Sequence, residues 1–190
     1  MSYIVVPYNS EWPAEFARIG DNLRQILAGL ALRIDHIGST SVPDLAAKDI
    51  IDIQITVKSL SEELDMALQH AGYQRHKDIV QDHIPPGAPE DISEWSKWIF
   101  KPPATERAAN IHVRIEGKAN QRYPLLFRDY LRAHPPIAAA YAQAKLALIA
   151  HGMDSSEAYY DVKDPICDII IGGAEGWAAT TKWRLGPSDC

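Results

Sequence analysis

The chain has 190 residues, 46% of them hydrophobic, which is enough apolar mass for a real core and excludes a disordered chain or a disulfide-stapled miniprotein. With 19 Lys and Arg against 25 Asp and Glu the formal net charge is -6, so the broad positive field that non-specific duplex binding needs is missing and duplex nucleic acid is not an expected partner. Cys167 and Cys190 are the two cysteines, too few for a disulfide framework or a cysteine metal site, which suits a reducing cytoplasm. The N-terminal MSYIVVPYNSEW lacks the pattern of a secretion signal, and no run of about 18 apolar residues suggests association with a membrane.

Tyr3 to Val6, apolar and partly β-branched before Pro7, suits a short edge strand or an extended arm. A helix follows: Asn9 or Ser10 can cap it, Pro13 is tolerated in its first turn, and Phe16, Ile19, Leu23, Ile26 and Leu27 recur at spacings of three and four until Gly29 stops it. A short apolar segment through Ile34 and Ile37 leads into Gly38-Ser39-Thr40-Ser41-Val42-Pro43. From Ile50 to Val57, Ile51, Ile53, Ile55 and Val57 alternate with Asp52, Gln54 and Thr56, the period of two of a strand. Leu60 to Ala71 reads as a helix ended by Gly72, and Tyr73 to Asp91, with three prolines, as loop. Trp95 to Phe100 and Ile111 to Ile115 read as strands separated by the breaker Lys101-Pro102-Pro103. Helices alone follow. Leu126, Tyr130 and Leu131 sit at helical spacing, Pro135-Pro136 marks a break, Ile137, Tyr141, Ala144 and Leu148 form a second stripe, and a last helix runs from Ser155 towards Trp177 with a kink or restart at Pro165. The expected fold is α/β, or α+β in a looser naming: a small mixed sheet of four or five strands with packed helices over 1–120, then a helical section over 121–180, in a single domain spanning 1–190.

The stretch with most chemical content is His36-Ile37-Gly38-Ser39-Thr40-Ser41-Val42-Pro43 followed by Asp52 on a strand. A glycine ahead of three hydroxyl residues lets backbone approach a phosphate closely and supplies hydroxyl and N–H donors, so Gly38, Ser39 and Thr40 form a candidate phosphate cradle. Asp52 and Gln54 share the face opposite the isoleucines, their Cα atoms roughly 6–7 Å apart by strand geometry. An acid there can hold a divalent cation, Mg²⁺, between itself and the phosphates. Lys48, between turn and strand, can neutralise a phosphate; His36 and His112 flank strands and are candidate ligands or acid/base groups; Glu116 is the nearest candidate for a third acid. Arg128 and Asp129 suit an ion pair that packs the helical part onto the sheet, and Tyr160 and Lys163 share a helix face. No HxH or HExxH metal spacing occurs among the seven histidines.

HIGSTSVPDLAAKDIIDI resembles the signature of the GrpB family, a branch of the nucleotidyltransferase superfamily, in which a Gly-Ser turn precedes a strand bearing catalytic acids. The resemblance continues through Tyr8, Trp12, Ile111-His112-Val113, the stretch FRDYLRAHP from Phe127 to Pro135, Tyr141, Lys145, Tyr160 and Lys163, nearly the whole chain. It implies a nucleotidyltransferase-like fold and a nucleotide or other phosphorylated small molecule as ligand. It further implies nucleotidyl transfer with Mg²⁺, with Asp52 as metal ligand and Gln54 at the second acid position. Three departures stand out: Gln54 for an acid, Asp44 where the family tends to show glycine, and Asn110 for a frequent histidine. A glutamine carries no charge, and a unit charge pair at 4 Å is worth about 4 kcal/mol at an effective dielectric near 20, so a two-metal site loses much of its affinity. Two functions therefore follow from the sequence: a transferase, or a nucleotide- or phosphate-binding accessory module without transfer chemistry.

Overall fold

A computed structural model describes residues 4–153 and 156–190, so Tyr3 and Ser155, the expected starts of the arm and of the last helix, lie outside the described residues. Val6 pairs as an isolated bridge with Ala47, an arm rather than a full strand. Helix α1 (Trp12–Leu27) buries Phe16, Leu23 and Leu27 of the expected stripe, with Ile19 and Ile26 half-buried, and adds Trp12, which the spacing does not include. Its N-cap is Glu11, whose side chain makes no capping bond; Asn9 supports the start instead, its Oδ1 accepting from Glu11 N at 3.0 Å. A short 3₁₀ turn over Ala28–Leu30 contains Gly29.

Then come β1 (Arg33–Ile37), β2 (Ile51–Val57), α2 (Glu62–His70), β3 (Gln74–Arg75), β4 (Lys97–Lys101) and β5 (Ala109–Ile115). Ser61 starts α2, its hydroxyl accepting from Leu64 N at 3.3 Å. The five strands make one mixed sheet in the order β1-β2-β5-β4-β3, within the expected size. β2 and β5 run parallel at its centre, with Asp52 beside Asn110 and Gln54 beside His112, and all other pairings are antiparallel. Two details differ from the sequence reading. The segment read as loop includes β3 and a bridge between Gln81 and Ser96. β4 starts at Lys97 because Ile92–Glu94 forms a 3₁₀ turn and Trp95 is buried, its indole N–H donating to the Pro89 carbonyl at 2.7 Å.

Ile51, Ile53, Ile55 and Val57 face α1 and α2 in a core shared with Ile34, Phe100, Ile111 and Val113. Each such side chain contributes about 1.5–3 kcal/mol by burial. The other face of the sheet is covered by α3 (Ala119–Ala133), on which α4 (Pro135–Ala150) and α5 (Ser156–Thr181) pack to build a second core around Leu126, Leu131, Tyr141, Ile171 and Ala174. The break falls at Pro135 as expected, whereas Pro165 interrupts nothing and α5 runs through it. Arg128 joins the two layers: it pairs with Asp129 at 2.8 Å and donates to the His36 carbonyl at 2.9 Å.

Residues 186–190 return to the outer edge of β1. Ser188 Oγ accepts from Ile34 N at 2.9 Å, Asp189 Oδ2 from His36 N at 2.9 Å, and Cys190 N donates to Ile34 O at 3.1 Å. The sequence reading assigned nothing to this segment. Among the described residues no helix is long and apolar enough to cross a membrane.

Candidate functional site

Gly38 ends β1 with φ 69°, in the left-handed region that favours glycine. A methyl group there would overlap Asp52 Oδ2 and lie 2.9 Å from Asp52 Cβ, so the missing side chain lets the turn fold directly over the start of β2. The 3₁₀ turn Ser39–Ser41 follows, held by Ser41 Oγ donating to the Gly38 carbonyl at 2.6 Å. This brings Ser39, partly open to solvent, beside the partly open Asp52.

Asp52 accepts from Asn110 Nδ2 at 2.6 Å, and His112 Nε2 lies 3.7 Å away. Burial works to raise the Asp52 pKa, but His112, the Asn110 amide and the Lys163 charge outweigh it and hold the carboxyl below its ordinary value. His112 is shifted downwards by burial, against the opposing pull of Asp52.

Gln54 is fully buried and committed elsewhere. Its Oε1 accepts from Arg114 Nη1 at 2.8 Å and its Nε2 donates to the Gln121 carbonyl at 2.9 Å. Arg114 in turn meets Asp82 from the loop at 2.8 Å, and Lys97 meets the same carboxylate at 2.6 Å. The position where a second acid would stand thus faces a guanidinium. On this face of β2 only Asp52 is open, because α3 roofs Gln54 and Thr56, the latter also fully buried.

Around Asp52 the dominant charge is positive. Asp52 acts electrostatically on Lys48, Lys101 and Lys145, and the Lys163 charge acts back on it. Lys145, only 3% exposed, donates from Nζ to Ser39 Oγ at 2.8 Å and to the Ala46 carbonyl at 2.5 Å. Burial and the neighbouring Lys163 charge lower it to about 7. Lys48 stands over the Tyr159 ring at 4.2 Å and is lowered by burial and Lys163 to about 8. Lys163 lies 3.4 Å from Asp164, and Lys101 donates to Asn110 Oδ1.

The profile of the GrpB protein family matches residues 2–172. The chain belongs to the GrpB family. GrpB from Enterococcus faecalis has a similar structure, with 29% identity and a TM-score of 0.71 over 92% of this chain and 99% of that one. A protein named dephospho-CoA kinase from Mycolicibacterium paratuberculosis is 37% identical over 95% of this chain and 48% of its own length. A UPF0157 protein from Halalkalibacterium halodurans is 32% identical over 90% of this chain and 81% of its own length. The chain spans about half the length of the first curated relatives it matches.

In this GrpB protein, Gly38, Ser39, Asp52 and His112 lie close together with Lys48 in electrostatic reach of Asp52, and four other candidates do not join them. His36 is buried against Phe16, the rings stacked 4.7 Å apart, and burial with the Arg132 charge lowers it to about 4, so it is neutral at neutral pH and structural. Thr40 is buried and bonded to His36 Nε2 at 2.9 Å, so its hydroxyl faces the core rather than a phosphate. Gln54 is the structural link described above. Glu116 follows β5 at the end away from Asn110, the partner of Asp52 in register, and cannot act as a third acid there. Among the described residues no three His, Cys, Asp or Glu side chains converge where a metal could sit. Asp44, the GrpB departure in the turn, takes φ 61°, a backbone conformation that glycine adopts without strain and aspartate tolerates better than most residues. Lys145 is the site residue that reasoning from spacing missed. The signal was present: it is the one charged residue in PPIAAAYAQAKLALIA, four positions from Tyr141 on the apolar stripe.

Proposed function

We propose that this GrpB protein binds the phosphates of a nucleotide or similar phosphorylated small molecule between the Gly38-Ser39 turn and the lysines of α4 and α5. The observation that carries the reading is Lys145 on Ser39 of the glycine-hydroxyl turn and Lys101 on Asn110 beside Asp52, with Lys48 and Lys163 within electrostatic reach of the same carboxylate. Phosphate oxygens are met well by ammonium groups and by hydroxyl and backbone donors in such a turn. Asp52 serves as counter-charge to the lysines and orients Asn110.

The Mg²⁺ pair that the superfamily implies does not fit this donor set. One carboxylate stands among lysines, Asn110 Oδ1 accepts from Lys101, and Gln54 Oε1 accepts from Arg114. Binding without two-metal transfer is therefore favoured, in a reducing cytoplasm as the cysteine content suggests.

Calorimetric titration with ATP, GTP, CTP, UTP and pyrophosphate, each with and without Mg²⁺, tests this. Binding of at least one ligand without Mg²⁺ is expected, with stabilisation of about 2.7 kcal/mol at 100 times its dissociation constant. Absence of heat and of thermal shift at millimolar ligand sinks the reading.

A further inference from the structure

Ser39 and Lys145, 106 positions apart in the chain, meet with Nζ 2.8 Å from Oγ. Their exposure differs: Lys145 is buried on the apolar stripe of α4, while Ser39, directly after the left-handed Gly38, is partly exposed. With the Ala46 carbonyl taking one N–H at 2.5 Å, a neutral Lys145 amine has its lone pair available to accept from the Ser39 hydroxyl. The groups facing Lys145 are Lys163 and Cys167 from α5, Asp52 from β2, Lys48 from the preceding loop, and the Tyr141 ring at 4.5 Å on its own helix. Burial and Lys163 lower the amine to about 7, so a substantial share is unprotonated at neutral pH.

We propose that Ser39 is a nucleophile with Lys145 as its general base, taking a phosphorus-centred group from a ligand whose phosphates lie in the lysine cluster. The ligand class rests on the reading above. Ser39 Oγ attacks phosphorus, the Oγ–P bond forms, the P–O bond to the leaving phosphate breaks with its electron pair on oxygen, and the hydroxyl proton passes to Lys145 Nζ. With a nucleoside triphosphate attacked at the α-phosphorus, the products are a Ser39-linked nucleoside monophosphate and pyrophosphate. Lys48 and Lys163 neutralise the charge that develops on the leaving group.

Intact-mass spectrometry with a fluorophosphonate probe tests the pair without relying on a nucleotide, since Oγ–P forms while P–F breaks and fluoride leaves. Labelling at Ser39 is expected, with a rate that rises through pH 7 and levels above pH 8, is abolished in Ser39→Ala and falls at least tenfold in Lys145→Arg. Should Lys145→Arg misfold, the wild-type pH profile decides, and a rate that climbs with hydroxide without an inflection near pH 7 overturns the pair. Incubation with the four triphosphates is expected to add the mass of one nucleoside monophosphate, released pyrophosphate matching it. Nucleotide binding without labelling of Ser39 overturns the nucleophile and leaves the binding reading intact. Labelling without nucleotide binding supports the nucleophile–base pair and overturns the phosphate reading.

Discussion

Gly38 and Asp52 touch across the junction of β1 and β2, so closely that any side chain at position 38 would occupy the space of the Asp52 carboxylate. Gly38→Ala therefore meets two costs, a left-handed backbone and a clash with an atom near the main chain of a central strand. A loss of about 1–3 kcal/mol is expected from the backbone term alone, read by urea denaturation. Displacement of Asp52 should also weaken any phosphate ligand, visible by titration of the folded variant.

A carboxylate at position 54 would, on the sequence, recreate a paired-acid face. In the fold it would be placed beside Arg114 and would lose the amide donor to the Gln121 carbonyl at 2.9 Å. Gln54→Asp is expected to form an ion pair with Arg114 rather than to bind Mg²⁺ or Mn²⁺ more tightly. The unsatisfied carbonyl should cost about 1–3 kcal/mol. Metal titration of wild type and variant checks this, and a clear gain in affinity would restore the two-acid view.

Asp82 is the anion shared by Lys97 and Arg114, both buried, and these cations hold its carboxyl well below the ordinary range against the effect of burial. Asp82→Asn leaves two buried charges without their counter-ion, and a loss of about 3–5 kcal/mol is expected in chemical denaturation. The sign of the pH effect follows. The stability that Asp82 contributes is fully present above its unfolded value of 3.8 and is lost as pH falls towards its folded value.

The lysines act in the same sense, in a window at higher pH. Lys145 at about 7 and Lys48 at about 8 lie below the ordinary 10.5, so between roughly pH 7 and 10.5 the unfolded chain binds more protons than the folded one. Their contribution to stability rises with pH across that window, while Lys163, held above 10.5, does not titrate within it. Anion affinity should fall as the same groups lose charge. Two charge contacts at 4 Å are worth about 1 kcal/mol each even in bulk water, so roughly a tenfold loss between pH 6.5 and 8.5 is expected. Titrations of pyrophosphate in buffers of different ionisation heat should show proton uptake at pH 7.5, reduced in Lys48→Gln.

The strand period from Ile51 to Val57 and the stripe of α1 were legible because burial on one face leaves a direct mark on residue spacing. The same period could not tell which face of β2 was open. Gln54 reads as an outward polar residue, and only the docking of α3 and the position of Arg114 in β5 turn it into a buried link. His36 and Thr40 misled for a related reason: they satisfy each other inside the core, so their polarity carries no sign of a ligand. Lys145 depends on the packing of a C-terminal helix against a turn 106 residues earlier, a relation that local patterning does not encode.

The edge of β1 is finished by a segment 154 positions downstream, Ser188 bonding Ile34 and Asp189 the amide of His36. A nascent chain consequently carries β1 as an open strand edge, able to accept a foreign strand, throughout synthesis of all three C-terminal helices. The time between emergence of β1 and arrival of residues 186–190 is the interval in which this protein is most exposed to wrong pairing. Slowing translation in that stretch should raise aggregation without altering the stability of the finished molecule.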